Sequence, residues 1–235
     1  MKILAIDTST KNFSLVLGRD GRIISHENAF LDKILDKSII PTIDRILKKA
    51  GWKIFDIDAF AVGLGPGSFT SLRVGLATVK GLAMATEKEL IGISSLDVLA
   101  QGAIHEPCDE ICVITDAKRQ LLYACLYKCQ GDRLKAKSKH QLISLKGILD
   151  QVHGRTLFVG DGVTLYKDEI LKCYKDAKRR RKTSCVALFA EERLNLPDAR
   201  QLFQLACGRV KENRYDDIQK LNPIYLYPED CQVQK

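Results

Sequence analysis

The sequence of 235 residues has no apolar run that could cross a bilayer: its longer stretches, such as Ala59–Leu64, fall far short of the ~18 residues a span needs. A secretory leader pattern is missing too, because the apolar run Ile3–Ile6 is cut by Asp7. From both absences we expect a soluble cytoplasmic protein. Histidine is scarce: four residues lie scattered at 26, 105, 140 and 153. None is paired as HxxxH, HExxH or HxxE, so no helix face offers two imidazoles to an ion, which disfavours a metallohydrolase. No Ser or Cys occupies a GxSxG elbow, and no glycine-rich turn ends in Gly-Lys-Ser/Thr. Repeats at solenoid periods and low-complexity tracts are also lacking. What is there is ordinary globular composition, 46% hydrophobic and 28% charged. A disordered or fibrous chain is thereby excluded, and the length suits one large domain or two small ones.

Lys and Arg number 37 against 29 Asp and Glu, a net charge of +8. Five of these cations stand together as Lys178-Arg179-Arg180-Arg181-Lys182. Such a run is either a solvated loop or a contact to nucleic-acid phosphates.

Eight cysteines lie at 108, 112, 125, 129, 173, 185, 207 and 231. Without an export signal, free thiols are expected. The spacing of the first four has the look of a zinc site. However, Ile111–Thr115 and Leu121–Lys128 read as two strands around the turn Ala117–Gln120. A turn centred on Lys118–Arg119 sets Cys112 opposite Cys125 and Cys108 opposite Cys129, two pairs separated by ~13 Å along the strands. One ion cannot join four sulfurs across that gap at ~2.3 Å each. The cysteines read instead as small buried hydrophobes.

The chain opens with three strands: Lys2–Thr8, a strand through Phe13, Leu15 and Leu17, and Arg22–Asn28 after the turn Asp20-Gly21. A helix is expected over Ser38–Lys49, with Ser38 as cap, Pro41 in the first turn and Gly51 as the stop. Strand Ile57–Leu64, helix Thr70–Ala85, strand Leu90–Ile93 and helix Ser95–Ala103 complete a mixed sheet with helices on its faces. Domains are expected over residues 1–106 and 107–235, the helix of residues 198–211 packing back on the first. The second domain would hold the Cys-rich hairpin, helix Leu145–Val152, strand Thr156–Val159, the basic loop, helix Asp198–Lys211 and a final strand Pro223–Tyr227.

Gly63-x-Gly65-x-Gly67-Ser68-x-Thr70 is the sharpest local signal. Glycine allows close backbone approach, and Ser68 and Thr70 can cap the incoming helix. The turn reads as a structural strand-to-helix connection or as an anion cradle made of helix N–H groups. The contacts of a cradle would be Thr8, Ser9, Gly65, Gly67, Ser68 and Thr70. The helix that follows interleaves Gly75, Ala77 and Gly81 with Leu72, Leu76 and Val79. Each interior glycine costs about 1 kcal/mol relative to alanine, so another backbone must come close, from this chain or from a partner.

Met1–Thr10 and Gly65-Pro66-Gly67-Ser68-Phe69-Thr70-Ser71-Leu72-Arg73-Val74-Gly75 resemble the TsaB family, also called YeaZ. Ile91–Leu96, Asp116-Ala117-Lys118 with Tyr123, and the terminal Pro-x-Tyr-Leu support the resemblance. It implies an α/β, actin-like, Hsp70-like and sugar-kinase-like (ASKHA) fold of two related domains, each a mixed β-sheet flanked by helices. It implies the dimerisation subunit of the bacterial complex that makes threonylcarbamoyladenosine beside the anticodon of tRNAs reading codons that begin with A. In that family the paralogue TsaD carries the metal-binding HxxxH and the nucleotide site, the ATPase TsaE docks on the pair, and TsaC-type enzymes supply threonylcarbamoyl-adenylate. The resemblance implies no catalytic residue, metal or cofactor here, and Asp7-Thr8-Ser9-Thr10 resembles a degenerate phosphate loop in which Ser9 replaces the usual glycine. The family's His-Ser ahead of the first helix is Lys37-Ser38 here, and its Tyr-Leu-Arg near the end is Tyr225-Leu226-Tyr227.

The expectation is a scaffold that pairs with TsaD, and with itself when alone, through Ser38, Pro41, Leu72, Arg73, Gly75, Leu76, Ala77 and Gly81. The alternative is an independent actin-fold ATPase or small-molecule kinase, drafting Asp7 and Asp116 to position a metal ion and a base. A peptidase is a third reading, disfavoured because no activated nucleophile is visible. Lys178, Arg179, Arg180, Arg181 and Lys182 are candidate tRNA contacts.

Overall fold

The computed structural model describes residues 1–10, 12–30, 35–131, 133–181 and 186–227, so Lys182, Cys185 and Cys231 lie outside the described residues. The chain packs as two units. Met1–Val98 and Pro197–Ile224 form the first; Leu99–Leu196 and the segment from Tyr225 form the second. A single cut after residue 106 follows chain order, whereas packing divides the chain at three places.

The first unit is built on strands β1 (Lys2–Asp7), β2 (Asn12–Arg19), β3 (Arg22–Phe30), β4 (Ala59–Gly63) and β5 (Glu89–Ile93). Their order across the sheet is β3-β2-β1-β4-β5. The first three are antiparallel, and β4 and β5 run parallel to β1. Asp20 and Gly21 join β2 to β3 with φ of 52° and 78°. Two left-handed residues match the twist of the flanking strands, which is why this dipeptide turns there. Central strand β1 is buried on both faces. Leu4 and Ile6 pack with Phe60 and Val62 beneath α1 (Leu35–Ala50) and α2 (Phe69–Thr86). Ile3 and Ala5 pack on the other face beneath α6 (Ala199–Lys211). Each such aliphatic side chain contributes about 1.5–3 kcal/mol. Phe203 of α6 lies over Gly18, where a Cβ would come within 2.2 Å of its ring.

The second unit holds β6 (Glu110–Asp116), β7 (Leu121–Gln130), β8 (Arg133–Ala136), β9 (Gln141–Ser144), α4 (Leu145–Leu149), β10 (Arg155–Val159), α5 (Gly162–Arg181) and β11 (Val186–Phe189). Its sheet reads β11-β10-β6-β7-β8, with β9 also pairing β7. Taken from the other edge this is the order of the first sheet: three antiparallel strands, then two parallel ones. Helix α3 (Ser95–Gly102) follows β5.

Several expectations are corrected. Helix α1 begins at Leu35, so Ser38 is inside it rather than capping it, and Pro41 falls beyond the first turn. Pro41 is exposed, where water can satisfy the carbonyl it leaves without a donor. The stop at Gly51 stands: its φ is 68°, and Gly51 and Trp52 donate to Lys48 and Leu47 at 3.1 and 2.9 Å. The β6–β7 register differs by one residue. Cys112 faces Leu126 and Cys125 faces Val113, so the two cysteines lie on opposite faces of the sheet. The cause is a turn of three left-handed residues, Lys118, Arg119 and Gln120, with φ of 66°, 53° and 60°. Residues 178–181 are not a loop; they continue α5, whose Val163, Tyr166, Ile170 and Tyr174 face the second core. Pro223–Tyr227 joins no sheet; the Ile224 N–H donates to the Leu64 carbonyl at 2.9 Å.

Candidate functional site

The end of β1 and the glycine-rich turn before α2 meet in the first unit. Asp7 is fully buried. Its Oδ1 accepts the Ser9 N–H at 2.8 Å and the Ser9 hydroxyl at 2.6 Å, and its Oδ2 accepts the Ser95 hydroxyl at 2.7 Å. Gly63 makes room for it, since a Cβ there would lie 2.0 Å from Oδ2. Burial pushes the Asp7 carboxyl above its ordinary range, and the bonds from Ser9 and Ser95 offset this only in part.

The two segments are tied to each other. The Ser68 N–H donates to the Ser9 carbonyl at 2.8 Å, and a Cβ on Gly67 would strike that same oxygen at 2.1 Å. The Gly65 N–H donates to Ser95 Oγ at 3.1 Å, while the Ser95 N–H returns to the Gly65 carbonyl at 2.8 Å. The Thr8 hydroxyl donates to the Ser71 carbonyl at 2.9 Å. Of the six candidate anion contacts, Thr8, Ser9 and Gly65 are therefore buried and engaged within the chain, Gly67 is half-buried, and only Ser68 and Thr70 are exposed. Ser68 occupies the cap position of α2, but its hydroxyl lies 2.9 Å from that of Ser71 and caps no backbone group. Thr70 lies inside the helix.

Helix α2 sorts the eight candidate interface residues. Leu72, Gly75 and Leu76 point inward, which corrects their reading as surface contacts. At Gly75 the reason is contact within the chain: a Cβ would sit 2.2 Å from Thr8 Oγ1. Arg73, Ala77 and Gly81 face outward, and a Cβ on Gly81 would meet nothing within 4 Å. The same face carries Phe69, 43% exposed, and Met84, 54% exposed, which sequence reasoning missed. The Arg73 guanidinium stacks 3.7 Å from the Phe69 ring centre. Helix α1 lies against α2 and adds exposed Ile40 beside Pro41; Ser38 is in its first half.

In the second unit Asp116 is committed as well. Its Oδ1 accepts the Lys118 N–H at 2.8 Å, its Oδ2 pairs with the Lys118 ammonium, and its own N–H donates to Asp161 Oδ1 at 2.9 Å. Burial pushes Asp116 up, but these bonds to Lys118 outweigh it and hold the carboxyl below the usual range. Burial, with the Asp116 charge adding to it, raises Asp161. Among the described residues, no three His, Cys, Asp or Glu side chains are grouped to hold an ion, and no helix is long and apolar enough to cross a membrane.

Two sheets of the same strand order, each flanked by helices, define an α/β protein of the actin, Hsp70 and sugar-kinase class. A ROK hexokinase from Thermus thermophilus shares this fold with a TM-score of 0.54 at 12% identity, over 90% of this chain and 100% of its own. YeaZ from Pseudomonas aeruginosa aligns with a TM-score of 0.76 at 25% identity, over 96% of this chain and 99% of its own. A family model described as TsaD, tRNA N6-adenosine threonylcarbamoyltransferase, matches residues 33–228. The tRNA threonylcarbamoyladenosine biosynthesis protein TsaB of Escherichia coli (strain K12) is 30% identical over 233 residues, 96% of this chain and 94% of the relative. That of Bacillus subtilis (strain 168) is 30% identical over 173 residues, 72% of this chain and 75% of the relative. The chain belongs to the TsaB (YeaZ) family.

Proposed function

We propose that this chain takes part in tRNA threonylcarbamoyladenosine biosynthesis as a non-catalytic scaffold that binds and stabilises a TsaD-type paralogue. The names of its relatives support the pathway. The observation that carries the scaffold role is Gly81. It lies in the interior of an 18-residue helix, exposed, with open space where a Cβ would be. A mid-helix glycine costs about 1 kcal/mol, and among the described residues no contact offsets it. A facing backbone from a second protein would. Arg73, Ala77 and Gly81, with Phe69, Met84 and, from α1, Ser38, Ile40 and Pro41, form the docking face; Leu72, Gly75 and Leu76 support it from the core. The same face pairs two copies when the paralogue is absent. In the full assembly a TsaE-type ATPase docks on the pair and a TsaC-type enzyme supplies threonylcarbamoyl-adenylate.

The self-tied turn supports the non-catalytic part of this reading. Asp7 has both carboxylate oxygens occupied and no exposed surface, so it is poorly placed to hold a metal-bound nucleotide. The test is co-expression with the TsaD-type paralogue followed by sizing chromatography. Gly81→Leu and Ala77→Arg abolish co-elution while each isolated variant melts as a cooperative folded protein. If both still co-elute, the docking face is elsewhere; ATP turnover by the isolated chain would refute the scaffold role.

A further inference from the structure

Charge is segregated along α5. Its first ten residues, 162–171, carry one cation and two carboxylates; its last ten, 172–181, carry six cations and one carboxylate. Lys172 and Lys175 are exposed. Positions 172, 175 and 179 follow one another at i, i+3 and i+7 on the face opposite Val163 and Ile170, which pack in the core.

Cations in a final helical turn have an ordinary explanation, because they offset the negative end of the helix dipole. That effect fades within one turn. Lys172 and Lys175 stand nine and six residues before the end at Arg181, beyond its reach. By spacing, their carboxylate neighbours on the helix are Asp168 and Glu169 toward its other end and Asp176 within the basic half, one carboxylate against the six cations of residues 172–181. A bilayer surface is a poor match for the stripe, since an interfacial helix needs a free apolar face. The apolar face of α5 is covered by its own sheet, and of its described side chains only Leu165 is a large exposed hydrophobe. Exposed lysines at 172 and 175, followed in sequence by two further lysines and three arginines among residues 178–182, suit a phosphate backbone.

We infer that the C-terminal half of α5, with Lys172 and Lys175 as its described exposed cations and the basic sequence 178–181 continuing the helix, is a contact surface for the sugar-phosphate backbone of RNA. It rests on the reading above only in taking that RNA to be the tRNA presented to the assembly. The contact is sequence-independent and steers the nucleic acid without touching its bases.

The purified chain, alone and assembled with its paralogue, is titrated with unmodified tRNA across a salt series. Each phosphate contact adds about 0.7–0.9 to the slope of log K against log salt. The variant carrying Lys172→Gln, Lys175→Gln and Arg179→Gln therefore binds more weakly at low salt, with a slope flatter by ~2–3 and an unchanged melting curve. The charge-keeping pair Lys172→Arg and Lys175→Arg retains the slope. Unchanged affinity and slope in the triple variant overturn the inference. So does a loss confined to phosphatidylserine vesicles, which would make the stripe a membrane contact. Failure of the unmodified chain to assemble with the paralogue refutes the scaffold role, while the slope measured on the chain alone still decides this inference.

Discussion

Asp216 accepts the backbone N–H of Gly92 at 2.8 Å, across 124 residues of sequence. Gly92 lies in β5, the outermost strand of the first sheet, whose outer backbone groups have no strand partner among the described residues. Asp216 also donates its own N–H to the Leu90 carbonyl at 2.8 Å, and Arg209 reaches both Asp216 and the Gly92 carbonyl, at 3.1 and 3.4 Å. Asp216→Ala leaves the Gly92 donor and the Arg209 cation without this acceptor and destabilises the chain by about 1.5–3 kcal/mol. Asp216→Asn keeps an acceptor and loses less. Urea unfolding measures both, and equal stability of the alanine variant would contradict the role.

The two helical glycines of α2 respond in opposite directions to the same substitution. Gly81→Ala meets open space and stabilises the isolated chain by about 1 kcal/mol through helix propensity. Gly75→Ala drives a methyl group against Thr8, and the overpacking, typically about 1–3 kcal/mol, exceeds that gain. Denaturation curves of the two variants should fall on either side of the unmodified chain.

Asp7→Asn makes stability less sensitive to acid pH. The folded chain holds the Asp7 proton more tightly than the ordinary value of 3.8. As pH rises above that value the unfolded state ionises first, so the unmodified chain loses stability until the raised folded pKa is passed. Asparagine does not titrate. The difference between variant and unmodified chain should therefore grow in favour of asparagine across that window and then level off. A difference independent of pH from 3.5 to 7, in chemical denaturation, would exclude a raised Asp7.

Thiol labelling should rank the described cysteines by burial and ionisation. Burial, then the hydrogen bond to Cys129 at 3.6 Å, pushes the Cys108 thiol up to about 12. Only about one part in ten thousand is thiolate at pH 8. Cys112 is fully buried and its thiol is pushed well above the usual range; Cys173 is exposed. With N-ethylmaleimide at pH 8 and peptide mass spectrometry, Cys173 is modified far ahead of Cys108, and Cys112 stays unmodified until unfolding. Labelling of Cys108 as fast as Cys173 would contradict this environment.

Much of the first unit is legible in the sequence because its signals are local. Alternation at Phe13, Leu15 and Leu17, the Asp20-Gly21 turn and the Gly51 stop each act over a few residues. The second unit is less legible. Its hairpin closes on three non-glycine residues in left-handed conformation, which no propensity would select, and one added turn residue shifts every pair in the ladder. Helix α5 is hidden in the sequence because its charged end resembles a loop, while the apolar spacing that makes it a helix lies upstream. At the site, the glycines and Asp7 stand out in the sequence. Their purpose does not: Ser95 reaches Asp7 across 88 residues and Thr8 lies against Gly75, relations that only the fold creates.

The return of α6 to the first sheet has a consequence for synthesis. Ala199 donates to the Ser14 hydroxyl from 185 residues downstream, and Leu202, Phe203 and Ala206 cover one side of β1 and β2. A ribosome releasing the chain from its amino end exposes that oily side long before the helix that shields it has been translated. The first unit therefore stays incomplete, and exposed to chaperones and to aggregation, until α6 itself has emerged.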